Sequence, residues 1–203
     1  MAVPSTMVAL GTRAPDFSLP NVSTGQSVSL STFADKKALL VMFICRHCPY
    51  VQHVKNELTR IGNDYKDRKL GIVAIASNDP QAYPQDAPTS MAEFAKEEGF
   101  TFPVCFDESQ EFAKSYKAAC TPDFFLYDSN RKLVYRGQLD DTRPSSDAQA
   151  NGKDLRAAID AVLADKPVSN DQKPSTGCSI KWRPGNEPTS LDHDSKSFLI
   201  GPR

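Results

Sequence analysis

The chain has 203 residues, with 24 Lys+Arg against 25 Asp+Glu and a formal net charge of -1. That length suits one globular domain with an appendage, and the balanced charge argues against a general nucleic-acid binder. The 39% apolar and 9% aromatic content excludes a wholly disordered chain, no apolar run is long enough for a membrane span, and five Cys, an odd number, do not fit a fully paired disulfide scaffold.

Met1 to Leu10 has neither a basic n-region nor a continuous apolar core, so it does not read as a signal peptide. The expected setting is the cytoplasm, where thiols are held reduced. Ala14 to Leu30 carries turn residues at Pro20-Asn21 and Thr24-Gly25-Gln26 between alternating apolar positions, which predicts a hairpin. Ala38 to Ile44 is an unbroken apolar run, as expected of a central strand buried on both faces. Val51, Val54, Leu58, Ile61 and Tyr65 then recur at three- and four-residue steps and predict an amphipathic helix. Leu70 to Ala76 reads as a second strand, Ser77 to Thr89 as a loop, and Met91 to Glu98 as a short helix capped by Ser90. A short strand is expected in Phe102 to Phe106 and a short helix in Ser109 to Tyr116. Asp123 to Tyr127 and Lys132 to Arg136 flank Asp128-Ser129-Asn130-Arg131, a second hairpin signal. Leu155, Ile159, Val162 and Leu163 mark a late helix. Strands alternating with helices imply an α/β fold, a central mixed β-sheet flanked by helices. Residues 1–165 form this domain. Residues 166–203 are rich in Pro, Ser, Asn and Asp and predict an irregular tail, anchored over the domain by Ile180 and Trp182.

The strongest chemical signal is Cys45-Arg46-His47-Cys48, where the central strand gives way to the helix. A helix N-terminus presents unpaired N–H groups and partial positive charge, which favour a thiolate, here expected at Cys45. Cys48, one turn on, would resolve a mixed disulfide formed there. Arg46 and His47 are expected to add positive charge beside the sulfurs. Half of a zinc site is the competing interpretation, but no second Cys-x-x-Cys or His-x-x-His pair completes it, so no metal and no cofactor is expected.

These residues resemble the thioredoxin-like redoxin superfamily. Ala14-Pro15-Asp16-Phe17 and Val28-Ser29-Leu30 look like the N-terminal hairpin of its peroxiredoxin-like, AhpC/TSA-type branch. Cys45 to Cys48 matches the dithiol motif, and Thr121-Pro122-Asp123-Phe124-Phe125-Leu126 looks like the cis-proline loop and its following strand. The resemblance spans residues 8 to 165. It implies a thioredoxin-like fold with Pro122 beside the sulfurs and with Thr121 offering backbone groups to a substrate strand. Met42 stands three residues before Cys45, where peroxiredoxins carry a Thr, so the hydroxyl that helps activate a peroxide is missing from that position.

The expected function is therefore thiol–disulfide oxidoreduction in redox homeostasis, with a thiol peroxidase and a Cu- or Zn-binding thioredoxin-fold module as alternatives. The expected partners are a protein or small-molecule disulfide and a thioredoxin- or glutathione-type reductant, with neither nucleic acid nor membrane. Cys105, among apolar neighbours, reads as a buried inert thiol. Cys120, two residues before Pro122, and Cys178, in the tail, are candidate third redox thiols.

Overall fold

The computed structural model describes residues 2–188. The rest of the expected tail, 189–203, lies outside them. A five-stranded sheet forms the centre, in the order β6-β5-β4-β8-β9. β4 (Ala38–Phe43), β5 (Leu70–Ala76) and β6 (Val104–Phe106) run parallel. β8 (Asp123–Tyr127) and β9 (Leu133–Gly137) complete the sheet in antiparallel pairs.

Every residue of β4 is buried, and its alternation divides the core in two. Leu40 and Met42 face α1 (Pro49–Tyr65), α2 (Pro88–Glu97) and α4 (Lys153–Leu163). Leu39, Val41 and Phe43 face the hairpin of β2 (Ser18–Pro20) and β3 (Ser27–Ser29), together with α3 (Glu111–Ser115). The mixed α/β sheet read from the sequence is thus present, with the N-terminal hairpin lying against it as a separate two-stranded sheet. Among the described residues no helix is long and apolar enough to cross a membrane.

Two boundaries differ from expectation. α2 starts at Pro88 and not after Ser90, because Pro at the first helical position loses no needed N–H and its φ is already helical. The tail is not irregular throughout: β10 (Thr176–Ser179) pairs on one side with β1 (Ala2–Pro4) and on the other with β7 (Cys120–Thr121), forming a small antiparallel sheet.

Tertiary contacts hold the tail from both flanks. Ser175 O accepts from Ser5 N–H at 2.7 Å, and Lys181 N–H donates to Asn78 Oδ1 at 2.8 Å. Gln110 Nε2 donates to Lys181 O, and Gln110 Oε1 accepts from Arg183 N–H. Ile180 is buried in the second core and Trp182 packs against it, as expected of the two anchors.

Candidate active site

Cys45 lies two residues beyond the end of β4, and both Cys45 and Cys48 are fully buried. The helix begins only at Pro49, so Cys48 is its N-cap and Arg46-His47 form a bend before it. The reason is Asp86, a residue at 0% exposure in the loop after β5. Its Oδ1 accepts the Arg46 N–H at 2.8 Å and the His47 N–H at 3.1 Å. Its Oδ2 accepts Asn78 Nδ2 at 2.8 Å and pairs with His47 Nδ1. A carboxylate that binds consecutive backbone N–H groups holds them outside the helix. Nothing in the spacing of the Ser77 to Thr89 segment marks Asp86, because its role depends on contacts with residues about forty positions away.

The cations expected beside the sulfurs are engaged elsewhere. Arg46 donates to Glu97 at 2.8 Å, to Glu93 at 3.3 Å and to Ser90 O at 3.0 Å, all on α2. His47 is tied to Asp86 and stacks on Tyr83, with ring centroids 5.0 Å apart. These carboxylates are better partners than a thiolate, so the two side chains act as fasteners of the loop.

Across the site, Thr121-Pro122 is a cis peptide, as the resemblance implied. Thr121 Oγ1 lies 3.2 Å from Cys45 Sγ, and Cys48 Sγ lies 3.1 Å from Thr121 O. The hydroxyl absent at Met42 is thus supplied at Cys45 from another strand. Behind this loop Asp123 and Arg136 form a fully buried pair at 3.1 Å. Arg136 also donates to Ser5 Oγ, Tyr116 O and Lys117 O, and its guanidinium lies 3.9 Å from the Phe125 ring centroid.

The two sulfurs share a hydrogen bond and lose their protons as a pair. Cys45 is pushed well above the ordinary thiol value by its hydrogen bond with Cys48, by burial and by the Asp86 carboxylate. Cys48 is drawn down from 9.0 to about 5, first by the hydrogen bond from Cys45, against the effect of burial. The Cys178 side chain and the N–H groups of Val51 and Cys178 add to the lowering. As a thiol Cys48 would donate to Thr121 O, and that bond opposes ionisation. Because the helix starts at Pro49, its N–H groups reach Cys48, while Cys45 faces an anion.

Cys178 is the partly exposed member of this group. Burial, then hydrogen bonding to Cys48, pushes its thiol up to about 11. It stands opposite Thr121 in the β7–β10 pair. The edge of Thr121 that the resemblance offered to a substrate strand is therefore filled by the chain's own tail. Cys120 pairs with Ser179 instead, and its sulfur donates to Pro122 O at 3.6 Å. Burial pushes Cys105 up to about 12, in keeping with an inert core thiol.

Cys45, His47 and Asp86 also bring potential metal-ligand atoms within 4.8 Å of one another. Asp86, however, already accepts from Arg46, His47 and Asn78, and a cation would have to displace some of these donors. The set suits hydrogen bonding better than coordination.

The sequence profile of the Redoxin family matches residues 9–152. A curated relative from Geobacillus kaustophilus, the thiol-disulfide oxidoreductase ResA, is 31% identical over 130 residues, covering 63% of this chain and 68% of that one. The crystal structure of a conserved protein from the same organism is 51% identical, with a TM-score of 0.88, and covers 91% of this chain and 97% of its own. A Sinorhizobium meliloti crystal structure is 48% identical at the same TM-score, covering 90% and 99%. Thioredoxin-like solved structures under 25% identical share the fold. With its hairpin, central sheet and dithiol loop all inside the matched span, the chain belongs to the Redoxin family.

Proposed function

We propose that this thiol–disulfide oxidoreductase works through Cys45 and Cys48. The observation that carries the reading is the buried sulfur pair beneath Thr121, with Thr121 Oγ1 3.2 Å from Cys45 Sγ and Thr121 O 3.1 Å from Cys48 Sγ. The thiolate of the pair takes one sulfur of a disulfide and releases the other as a thiolate. The second thiol of the pair then attacks this mixed disulfide, its proton passing to the departing thiolate. The Cys45–Cys48 disulfide forms and the substrate leaves as two thiols. A thioredoxin- or glutathione-type dithiol restores the pair, and redox homeostasis in the cytoplasm is the setting in which these steps make sense. Pro122 lines a small recess with Tyr50, His53, Thr142 and Arg143.

This reading is favoured over peroxidase chemistry because a peroxide-reducing Cys45 would need to be the acidic sulfur, and it faces Asp86. It is favoured over copper or zinc binding because the ligand atoms around Asp86 already hold one another.

The test is peptide mapping of the oxidised chain together with turnover of a model disulfide. A Cys45–Cys48 link and activity lost in both Cys45→Ser and Cys48→Ser are expected. A chain that oxidises without forming that link refutes the proposal.

A further inference from the structure

Both cysteines of the pair are at 0% exposure, so direct exchange with a protein dithiol or disulfide requires β10 to move aside. The partly exposed cysteine of the cluster is Cys178. It lies near enough to Cys48 that its side chain and backbone N–H both help lower that thiol. It is also held in register. Cys178 is paired with Thr121, and alternation along a strand puts the two side chains on the same face, the face on which Thr121 Oγ1 meets Cys45. Cys120, one residue away, projects to the opposite face. The tail thus presents a thiol at the sheet edge in the manner of a bound substrate strand.

We infer that Cys178 is a third reacting sulfur, the relay through which an external dithiol reduces the buried Cys45–Cys48 disulfide. The inference deepens the proposed oxidoreductase reading and rests on it. In the first step the Cys178 thiolate attacks Cys48 Sγ. The Cys45–Cys48 bond breaks, the Cys48–Cys178 bond forms, and Cys45 takes up the proton that Cys178 gave up. Next, a thiolate of the external dithiol attacks the Cys178 sulfur and Cys48 leaves as thiolate. The most acidic thiol of the set is the best leaving group. Finally the second external thiol attacks the mixed disulfide and releases Cys178. Two electrons have passed from the dithiol, now a disulfide, to the buried pair. The first step is helped by the oxidised state itself, because Cys48 in a disulfide carries no charge to oppose ionisation of Cys178.

Two measurements on the full chain test this. Cys45→Ser treated with oxidised glutathione is mapped without reduction, and a Cys48–Cys178 link is expected. Wild type and Cys178→Ser, each first oxidised to the Cys45–Cys48 disulfide, are reduced by dithiothreitol and followed by differential alkylation. Cys178→Ser is expected to be reduced about tenfold more slowly or worse. A merely structural Cys178 would give the opposite sign, since loosening the tail exposes the disulfide and speeds reduction. Equal or faster reduction of Cys178→Ser, or no Cys48–Cys178 link in Cys45→Ser, overturns the relay alone. Failure of the wild type to form the Cys45–Cys48 disulfide overturns the underlying reading and the relay with it.

Discussion

Gly177 lies so close to Thr121 that a Cβ built on it would sit 2.1 Å from the Thr121 carbonyl oxygen. No side chain fits there, and the close approach lets β10 lie flat over the dithiol with Cys178 facing Thr121.

Gly177→Val should lift the tail strand from β7 without touching a sulfur. A local loss of about 1–3 kcal/mol in tail docking raises the open population, and with it the alkylation rate of Cys45 and Cys48, by about tenfold or more. Iodoacetamide trapping of the reduced protein measures this. An unchanged rate would mean that β10 is not what shields the pair.

Cys48 gives the reduced protein a defined pH response. Its folded-state value, about 5, lies below the ordinary thiol value of 9.0. The stabilisation is therefore fully present above about pH 9 and is lost as pH falls toward 5. Thiolate absorbance should show about one ionised sulfur at pH 7 in the reduced chain and none in Cys48→Ser. Urea midpoints should rise between pH 5 and 9 for the reduced wild type, and more weakly for Cys48→Ser. Above the unfolded thiol value the raised Cys45, Cys105 and Cys120 reverse the slope. The same acidic thiolate stabilises the reduced form, so the reduction potential of the couple should lie above about −270 mV.

Asp86→Ala removes the acceptor for two loop N–H groups and the anion that opposes ionisation of Cys45. In a Cys48→Ser background, the alkylation profile of Cys45 should move to lower pH in Asp86→Ala. The stability loss should be about 1–3 kcal/mol for the unpaired buried donors. A profile that stays in place would show that Asp86 acts on the backbone alone.

Arg136→Met leaves Asp123 buried without its cation behind the Thr121-Pro122 loop. Breaking such a pair by removing one partner costs about 3–5 kcal/mol, which chemical denaturation would read directly. Asp123→Asn/Arg136→Met together should recover part of that loss, because the uncompensated carboxylate is gone.

Much of this protein was legible in its residues because the signals are local. The apolar run from Ala38 to Ile44, the stepped positions from Val51 to Tyr65 and the turn at Asp128 to Arg131 each state their period or turn chemistry within a few residues. The dithiol and the Thr121-Pro122 loop were legible through their motifs. What only the tertiary structure decided depends on partners far apart in the chain. β10 is a four-residue strand whose Thr-Gly-Cys-Ser carries no strand period, and it exists because β1 and β7 flank it. Asp86 looks like any loop acid until its carboxylate meets Arg46, His47 and Asn78. A motif specifies that two thiols meet at a helix start, but the place of that start at Pro49 and the Asp86 carboxylate beside Cys45 were decided by the tertiary structure.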